Sequence, residues 1–194
     1  MAKIAYTNKV SIIDNSVPAI NQWKAEDANE VKTSVNYLYD RYGWERYFDT
    51  LNTVSNKQSL TASQDNIITI DGVTSILTQR PITSPVVPLW ASNKIRAIKS
   101  GDAYIIRFDF AASISNSNGW FEFALNVGGS IGKVLINTFT LPKGSNVTHN
   151  YSLTAVIYTA DTFLANGANL IITPSHTMQI WDKSIYIQRT FDAR

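Results

Sequence analysis

The sequence predicts a mainly β protein in which a short α-helix precedes a β-sandwich head. Two observations lead to this prediction. A single stretch, from Asp27 to Arg41, has helical periodicity and recognisable helix ends. After about residue 50, apolar and polar residues alternate in short runs separated by Gly, Pro, Asn and Ser. A helix too short to be stable alone, joined to an all-β head, is typical of oligomeric stalk-and-head proteins.

Composition limits the classes of function. The chain has 194 residues, of which 44% are hydrophobic and 16% charged, which suits one domain with a real core and a modest extra element. Its net charge is +2, and its densest basic group is Lys94, Arg96 and Lys99. Alternation places Lys94 and Arg96 on one strand face, which is predicted to be the solvated face. We therefore expect no nucleic-acid partner.

The absence of cysteine and the lack of long apolar runs exclude further classes of function. The chain has no cysteine, so disulfides, thiolate metal sites and a cysteine nucleophile are excluded. No apolar run approaches the ~20 residues that a membrane helix requires, and no membrane insertion is expected.

Residues 1–23 are predicted to form an extended arm. A short apolar run is followed by Pro18, which restricts Val17 to extended backbone geometry. An arm of this length cannot bury its own apolar groups, so we expect it to dock on its own oligomer or on a partner. The residues predicted to make that attachment are Val10, Ile12, Ile13 and Trp23.

Residues 24–43 are predicted to form the stalk helix. Asp27 and Glu30 have the spacing of a capping box, and Gly43 is a natural C-terminal stop. Five residues inside the segment recur at alternating spacings of three and four, which is the pattern of a coiled-coil seam. They are Ala28, Val31, Val35, Leu38 and Tyr42.

Two interpretations of this helix stay open on the sequence. Two heptads are fewer than the three or four usually required for a coiled coil, so the helix could instead lie on the β domain. However, an isolated helix of ~15 residues is marginal in water, and the β-branched valines lower its propensity. Association with copies of itself, supported by the head, would supply the missing stability, and we expect a short coiled coil.

Residues 44–60 are predicted to form a collar or linker between helix and head. Trp44, Tyr47 and Phe48 follow Tyr42 closely in the chain. Exposed aromatic rings could stack on sugars, but because aromatic side chains bury so much area, packing where stalk meets head is favoured.

Residues 61–194 are predicted to form the head. Two segments show strict alternation of apolar and polar residues, and about ten short strands are expected without an intervening helix. This arrangement indicates a sandwich, for which the jelly roll is the favoured architecture. The alternating core residues are Tyr104, Ile106, Phe108 and Phe110, then Phe121, Phe123, Leu125 and Val127.

The sequence offers little catalytic chemistry. Residues 128–132 match the Gly-x-Ser-x-Gly string of a nucleophile elbow, but the sequel predicts a strand where that motif requires a helix. His149 and His176 lie in different segments and lack a ligand partner at metal-site spacing. We therefore expect a non-enzymatic protein without a metal or cofactor.

A family resemblance enters at residues 21–32, which follow the pattern W-x-A-x-D-x-N-E-I-K with Val31 in place of the isoleucine. This segment resembles the start of the stalk helix in bacteriophage head-fibre and tail-fibre proteins. Residues 161–167 and 180–182 are similar to the last part of the TNF-like jelly-roll head of such fibres. The resemblance implies a homotrimer located on the virion, whose arm binds a capsid or other virion protein and whose head faces outward.

The chain departs from many such fibres in having Lys24 and Ala25 where a hydroxyl cap residue is common, and in its very short stalk. The short stalk favours a head fibre or capsid decoration protein over a long tail fibre. A receptor-binding tail component, a lectin-like module and a depolymerase are the alternatives, the last disfavoured by chain length. A host-surface glycan is a further candidate partner. The loops 115–119 and 143–147 are candidates for partner contact, although a solvated turn is the favoured interpretation of each.

Overall fold

The computed structural model of the chain describes residues 25–70, 74–81, 86–141 and 146–193. The predicted arm, with Val10, Ile12, Ile13 and Trp23, lies outside these residues. In chain order the described elements are α1 (Ala25–Arg41), β1 (Gly43–Phe48), β2 (Gln58–Leu60), β3 (Asn66–Ile67), β4 (Thr74–Ile76), β5 (Trp90–Ala91), β6 (Lys94–Ile95), β7 (Ala103–Ile114), β8 (Trp120–Gly128), β9 (Gly132–Thr140), β10 (His149–Tyr158), α2 (Asp161–Asn166), β11 (Asn169–Pro174) and β12 (Met178–Phe191).

The strands form two main antiparallel sheets. The first has the order β10-β7-β12-β1-β4, and the long strand β12 also pairs with β2. The second has the order β3-β11-β8-β9, and β5 and β6 form a separate two-stranded ladder. Apolar side chains from both main sheets fill the space between them, so the predicted sandwich is confirmed.

The order of pairing identifies the sandwich as a jelly roll. β1 pairs with β12, β3 with β11, β7 with β10 and β8 with β9, so that each pair encloses the next along the chain. Nested pairing of this kind is what results when a long hairpin wraps around itself into two sheets. The predicted fold class, mainly β with a jelly-roll head, is therefore correct.

The core follows the predicted alternation. Tyr104, Ile106, Phe108 and Phe110 on β7 are all at most 3% exposed. The rings of Phe110 and Phe121 meet edge to face with their centroids 6.1 Å apart, which joins the two sheets. Contacts of this kind add to the hydrophobic gain from the buried ring area.

The predicted boundaries at the start of the head require correction. Residues 44–60, predicted as a collar or linker, contain β1 and β2, which both pair with β12. The sandwich therefore begins at Gly43 and not at residue 61. The aromatic residues that suggested a collar are divided between the two faces of β1, because Tyr47 is buried in the core whereas Trp44 packs on Tyr186 at the outer face.

The helix ends also differ from the prediction. α1 begins at Ala25, so Asp27 lies in its first turn instead of capping it; a carboxylate there still suits the helix dipole. Gly43 is the first residue of β1 and does not cap the helix. A Cβ at Gly43 would lie 2.2 Å from the carbonyl oxygen of Gln79, so glycine is required there by close backbone approach.

A second helix interrupts the predicted run of strands. α2 spans Asp161–Asn166 and buries Phe163 against the end of the sandwich. It ends at Gly167, whose amide donates to the carbonyl of Phe163 at 2.8 Å. The Asn166-Gly167 pair therefore terminates a helix, in a region where the sequence predicted strands without an intervening helix.

β12 contains a bulge that buries a lysine. The pairing with β7 shifts between Trp181 and Ser184, and Asp182 has a left-handed φ of 50°. Lys183 is consequently 1% exposed, and its Nζ lies 2.8 Å from an Asp49 carboxylate oxygen. The same Nζ donates to the side-chain oxygens of Asn52 and Gln58, which completes its three donor sites.

Two tyrosines make the fold sensitive to alkaline pH. Tyr104 is 0% exposed and Tyr47 8% exposed, and burial is the main cause that raises the pKa of each hydroxyl above its ordinary value of about 10. The Tyr47 hydroxyl also donates to Glu45, which raises its pKa further. Both hydroxyls therefore stay protonated in the folded state at a pH where they ionise in the unfolded chain.

We expect the free energy of unfolding to be unaffected by these tyrosines below about pH 10 and to fall above it. The loss is about 1.4 kcal/mol per pH unit for each tyrosine, because the unfolded state then releases protons that the folded state retains. Urea unfolding at several pH values between about 9 and 11.5, the range in which an exposed tyrosine ionises, measures how steeply the free energy of unfolding falls with pH. The combined Tyr47→Phe and Tyr104→Phe variant should flatten that slope, while Tyr158→Phe, at a 71% exposed position, should leave it unchanged.

Candidate assembly and ligand-binding surfaces

The stripe predicted as a trimer seam lies at the surface of the single chain. Val31 is 49% exposed, Val35 44% and Tyr42 43%, while Ala28 is half-buried. Leu38 lies in the same helix. The alternative in which this stripe packs on the head would bury both valines, and the described residues do not bury them. Val31 and Val35 are therefore accessible to another molecule.

The helix passes almost directly into the sandwich. Tyr42 alone separates α1 from β1, and the amide of Trp44 donates to the Gln79 carbonyl at 2.8 Å. β1 itself pairs with β12 on one side and β4 on the other. Because the connection is so short, an association of α1 with its copies would bring the heads together as well.

A second apolar surface lies along one side of the sandwich. β9 and β10 are the edge strands of the two sheets, and both carry exposed apolar side chains. Val156 is 65% exposed, Tyr158 71% and Ile136 54%. A groove of about 220 Å³, lined on its other side by Phe163 of α2, runs between these strands. Exposed apolar surface of this extent on edge strands is typical of an interaction site.

A polar pocket of about 190 Å³ adjoins this groove. Its wall is formed by the end of β8, the following hairpin, β6, the end of α2 and the start of β11. The groove and the pocket share Val127. The residues that line the pocket are Lys94, Asn126, Val127, Gly128, Gly129, Asn166 and Asn169.

The sequence did not reveal this pocket. Lys94, which was expected on a solvated face beside Arg96, is half-buried as Arg96 is, and its Nζ donates to the backbone carbonyl of Asn166 at 3.0 Å. Lys99 of the same basic group donates instead to the carbonyl of Ala193. The local signals near the pocket are the Gly128-Gly129 and Asn166-Gly167 pairs, which are typical of turns and do not indicate a ligand site.

The residues singled out for catalysis are not assembled into a site. Residues 128–132 form the hairpin between β8 and β9, with left-handed φ at all three glycines, as the sequence predicted for a turn. His176 contacts the hydroxyl of Ser175, and His149 lies at the start of β10. Within the described ranges no group of three or more His, Asp or Glu is placed to hold a metal ion.

Of the two loops predicted to contact a partner, residues 115–119 form a hydrogen-bonded turn between β7 and β8. Asn118 and Gly119 donate through their amides to the side chain and backbone of Asn116. Trp120, which follows the turn, is 43% exposed. The second loop lies largely outside the described residues.

Neither described helix is long and apolar enough to cross a membrane.

Comparison with known proteins gives no family assignment. No protein-family model matches the chain, and no curated protein matches it. Among solved structures it is similar to the Eiger TNF of S. frugiperda, at 9% identity over 79% of this chain and 96% of that one, with a TM-score of 0.46.

Two other solved structures are similar at low identity. The PRD1 vertex protein P5 is 13% identical over 77% of this chain and 97% of that one, with a TM-score of 0.39. A CBM4 chain is 15% identical over 78% of this chain and 92% of that one, with a TM-score of 0.31. The jelly-roll assignment therefore rests on the strand pairing of the chain itself.

Proposed function

We propose that the chain is a structural protein of a bacteriophage virion surface, a homotrimeric head fibre or capsid decoration protein. The observation that carries the proposal is the exposed stripe on α1, with Val31 and Val35 at seam spacing and 49% and 44% exposed. Three such helices side by side would bury the stripe in a common core.

The proposed location of the protein on a virion rests on a different observation. Residues 21–32 resemble the segment that opens the stalk helix of phage fibre proteins, and in this chain α1 begins inside that segment at Ala25. The stalk is a single helix that leads at once into a jelly-roll head. A short fibre of this kind suits attachment close to the capsid surface.

The trimer would act through multivalency. Three heads on each trimer, and many trimers on each particle, raise the avidity for a surface without any tight single contact. A receptor-binding tail component is the second candidate, favoured by the exposed apolar surface along β9 and β10, which could contact a receptor. In both cases the chain acts by binding and not by catalysis.

Deletion of residues 1–23 tests the attachment. We expect the truncated chain to form the same oligomer as the full chain but to be absent from purified particles, because the arm carries Val10, Ile12, Ile13 and Trp23. Particles assembled with either version are purified and probed with an antibody against the head. Truncated protein recovered on particles at the full-length level would contradict the role of the arm, and gold labelling of full-length particles would distinguish capsid from tail.

A further inference from the structure

We propose that the polar pocket between β6, β8, α2 and β11 binds one acidic monosaccharide unit, with its carboxylate at Lys94 and its hydroxyls at the asparagine amides. The inference deepens the proposed function and rests on it only for the biological role, which would be adsorption to a host glycan. The binding itself is a property of the isolated protein.

The pocket is held in place by the backbone of four segments. Asn126 and Asn169 are directly opposite each other on β8 and β11. The amide of Ile95 donates to Ala168 and the amide of Ala168 donates back to Ile95, at 2.8 and 3.0 Å, which fixes β6 beside β11. A Cβ at Gly167 would lie 2.7 Å from the Ile95 carbonyl oxygen, so this close approach requires glycine.

Several of the polar groups lining the pocket have hydrogen-bonding capacity left over. Lys94 Nζ uses one hydrogen on the Asn166 carbonyl, and Asn126 Oδ1 accepts from the Gly128 amide at 2.9 Å. The Asn126 side-chain NH₂ and both atoms of the Asn166 amide have no hydrogen-bond partner among the described residues. Asn169 donates to the Asn93 carbonyl, which leaves its Oδ1 as an acceptor.

The charge of the pocket favours an anion. Its lining contains Lys94 and no carboxylate, and no Asp or Glu of the described residues lies within 4.0 Å of the Lys94 ammonium. A lysine held half-buried by a neutral carbonyl gains most from a bound carboxylate, because a charge-assisted hydrogen bond is about twice as strong as a neutral one.

The remaining chemistry favours a sugar over a simple anion. Amide side chains are both donors and acceptors, as sugar hydroxyls are, so three asparagines can each match a hydroxyl. The neighbouring groove is apolar from Val127 to Tyr158 and could receive the C–H face of an adjoining ring. Small ligands of this kind bind where a few polar groups adjoin an apolar wall.

The test is a titration of the full chain with D-glucuronic acid, followed by calorimetry and by amide chemical shifts. Methyl glucoside serves as the neutral sugar and inorganic phosphate as the simple anion. We expect Lys94→Met and Asn166→Ala each to raise the Kd for glucuronic acid by about tenfold or more. Asn150→Ala is the matched control, an exposed asparagine on β10 outside the pocket, and it should leave the Kd unchanged.

Several outcomes would overturn the proposal. They are the absence of glucuronic acid binding, equal binding of methyl glucoside, binding of phosphate as tight as that of the sugar, and an equal loss in Asn150→Ala. None of them alters the solution mass of the oligomer or its presence on particles, so the pocket can fail while the proposed virion role stands. Conversely, if the chain is a monomer and binds glucuronic acid through Lys94, the proposed fibre is contradicted and the proposed sugar site is supported.

Discussion

Replacement of Lys183 with methionine is expected to lower the free energy of unfolding by about 3–5 kcal/mol. The substitution leaves the Asp49 carboxylate, which is 8% exposed, without its ion-pair partner 2.8 Å away. It also removes the donor to Asn52 and Gln58, which hold the segment between β1 and β2 against β12. Urea unfolding of both proteins at pH 7 and equal concentration measures the difference.

Two further variants identify the cause of this loss. The double variant Asp49→Asn with Lys183→Met removes the unpaired charge and keeps a side-chain oxygen that accepts from the Leu51 and Asn52 amides. This double variant should therefore recover most of the free energy of unfolding that Lys183→Met alone loses. Lys133→Met is the surface control: Lys133 pairs with Asp65 and Glu122 at 2.6 and 2.9 Å, and its loss should cost about 1 kcal/mol or less. If Lys183→Met and Lys133→Met lower the free energy of unfolding equally, burial of the Lys183 ion pair is not the cause of the loss.

The combined substitution Val31→Asp and Val35→Asp should convert the proposed trimer into a monomer. Each trimer would then carry six carboxylates at the helix seam, where burial of an unpaired charge is costly and like charges repel. The head should stay folded, because its core cluster contains no described residue of α1. Sedimentation velocity measures the mass, and the far-ultraviolet spectrum of the strands shows whether the head is intact.

The control places the same charges on the opposite side of the helix. At 100° per residue, Thr33 and Tyr37 lie roughly opposite to Val31 and Val35, and both are exposed. Thr33→Asp with Tyr37→Asp should therefore leave the mass unchanged. If the two double variants have the same mass, the predicted seam of α1 is wrong even when the unmodified chain is a trimer. The surface along β9 and β10 would then be the candidate for the contact between copies.

The sandwich was predictable where a strand has one buried face. Tyr104, Ile106, Phe108 and Phe110 alternate with polar residues because one side of β7 packs on the second sheet, and all four are buried as expected. β1 was missed because its aromatic residues lie on both faces, Tyr47 inside and Trp44 outside, so no alternation marks it.

Other differences arise where tertiary contacts override local pattern. The bulge at Asp182 reverses which face of β12 points inward, so one strand resembles two in the sequence. α2 has six residues, too few for helical periodicity to be recognised.

The candidate sites differ in how far the sequence could reveal them. The stripe of Val31 and Val35 is local, and its spacing along one helix is visible directly. The polar pocket joins Lys94, Asn126, Asn166 and Asn169 from four segments that meet only after folding. No local pattern marks such a site, because asparagine and lysine in loops are ordinary turn and surface residues.

The most direct test of the trimeric fibre is the solution mass of the unmodified chain, measured by light scattering across a range of concentrations. The stripe on α1 and its short connection to the head predict a mass near three times the 21.6 kDa of one chain. A constant mass of 21.6 kDa at every concentration would contradict the trimer and, with it, the proposed fibre.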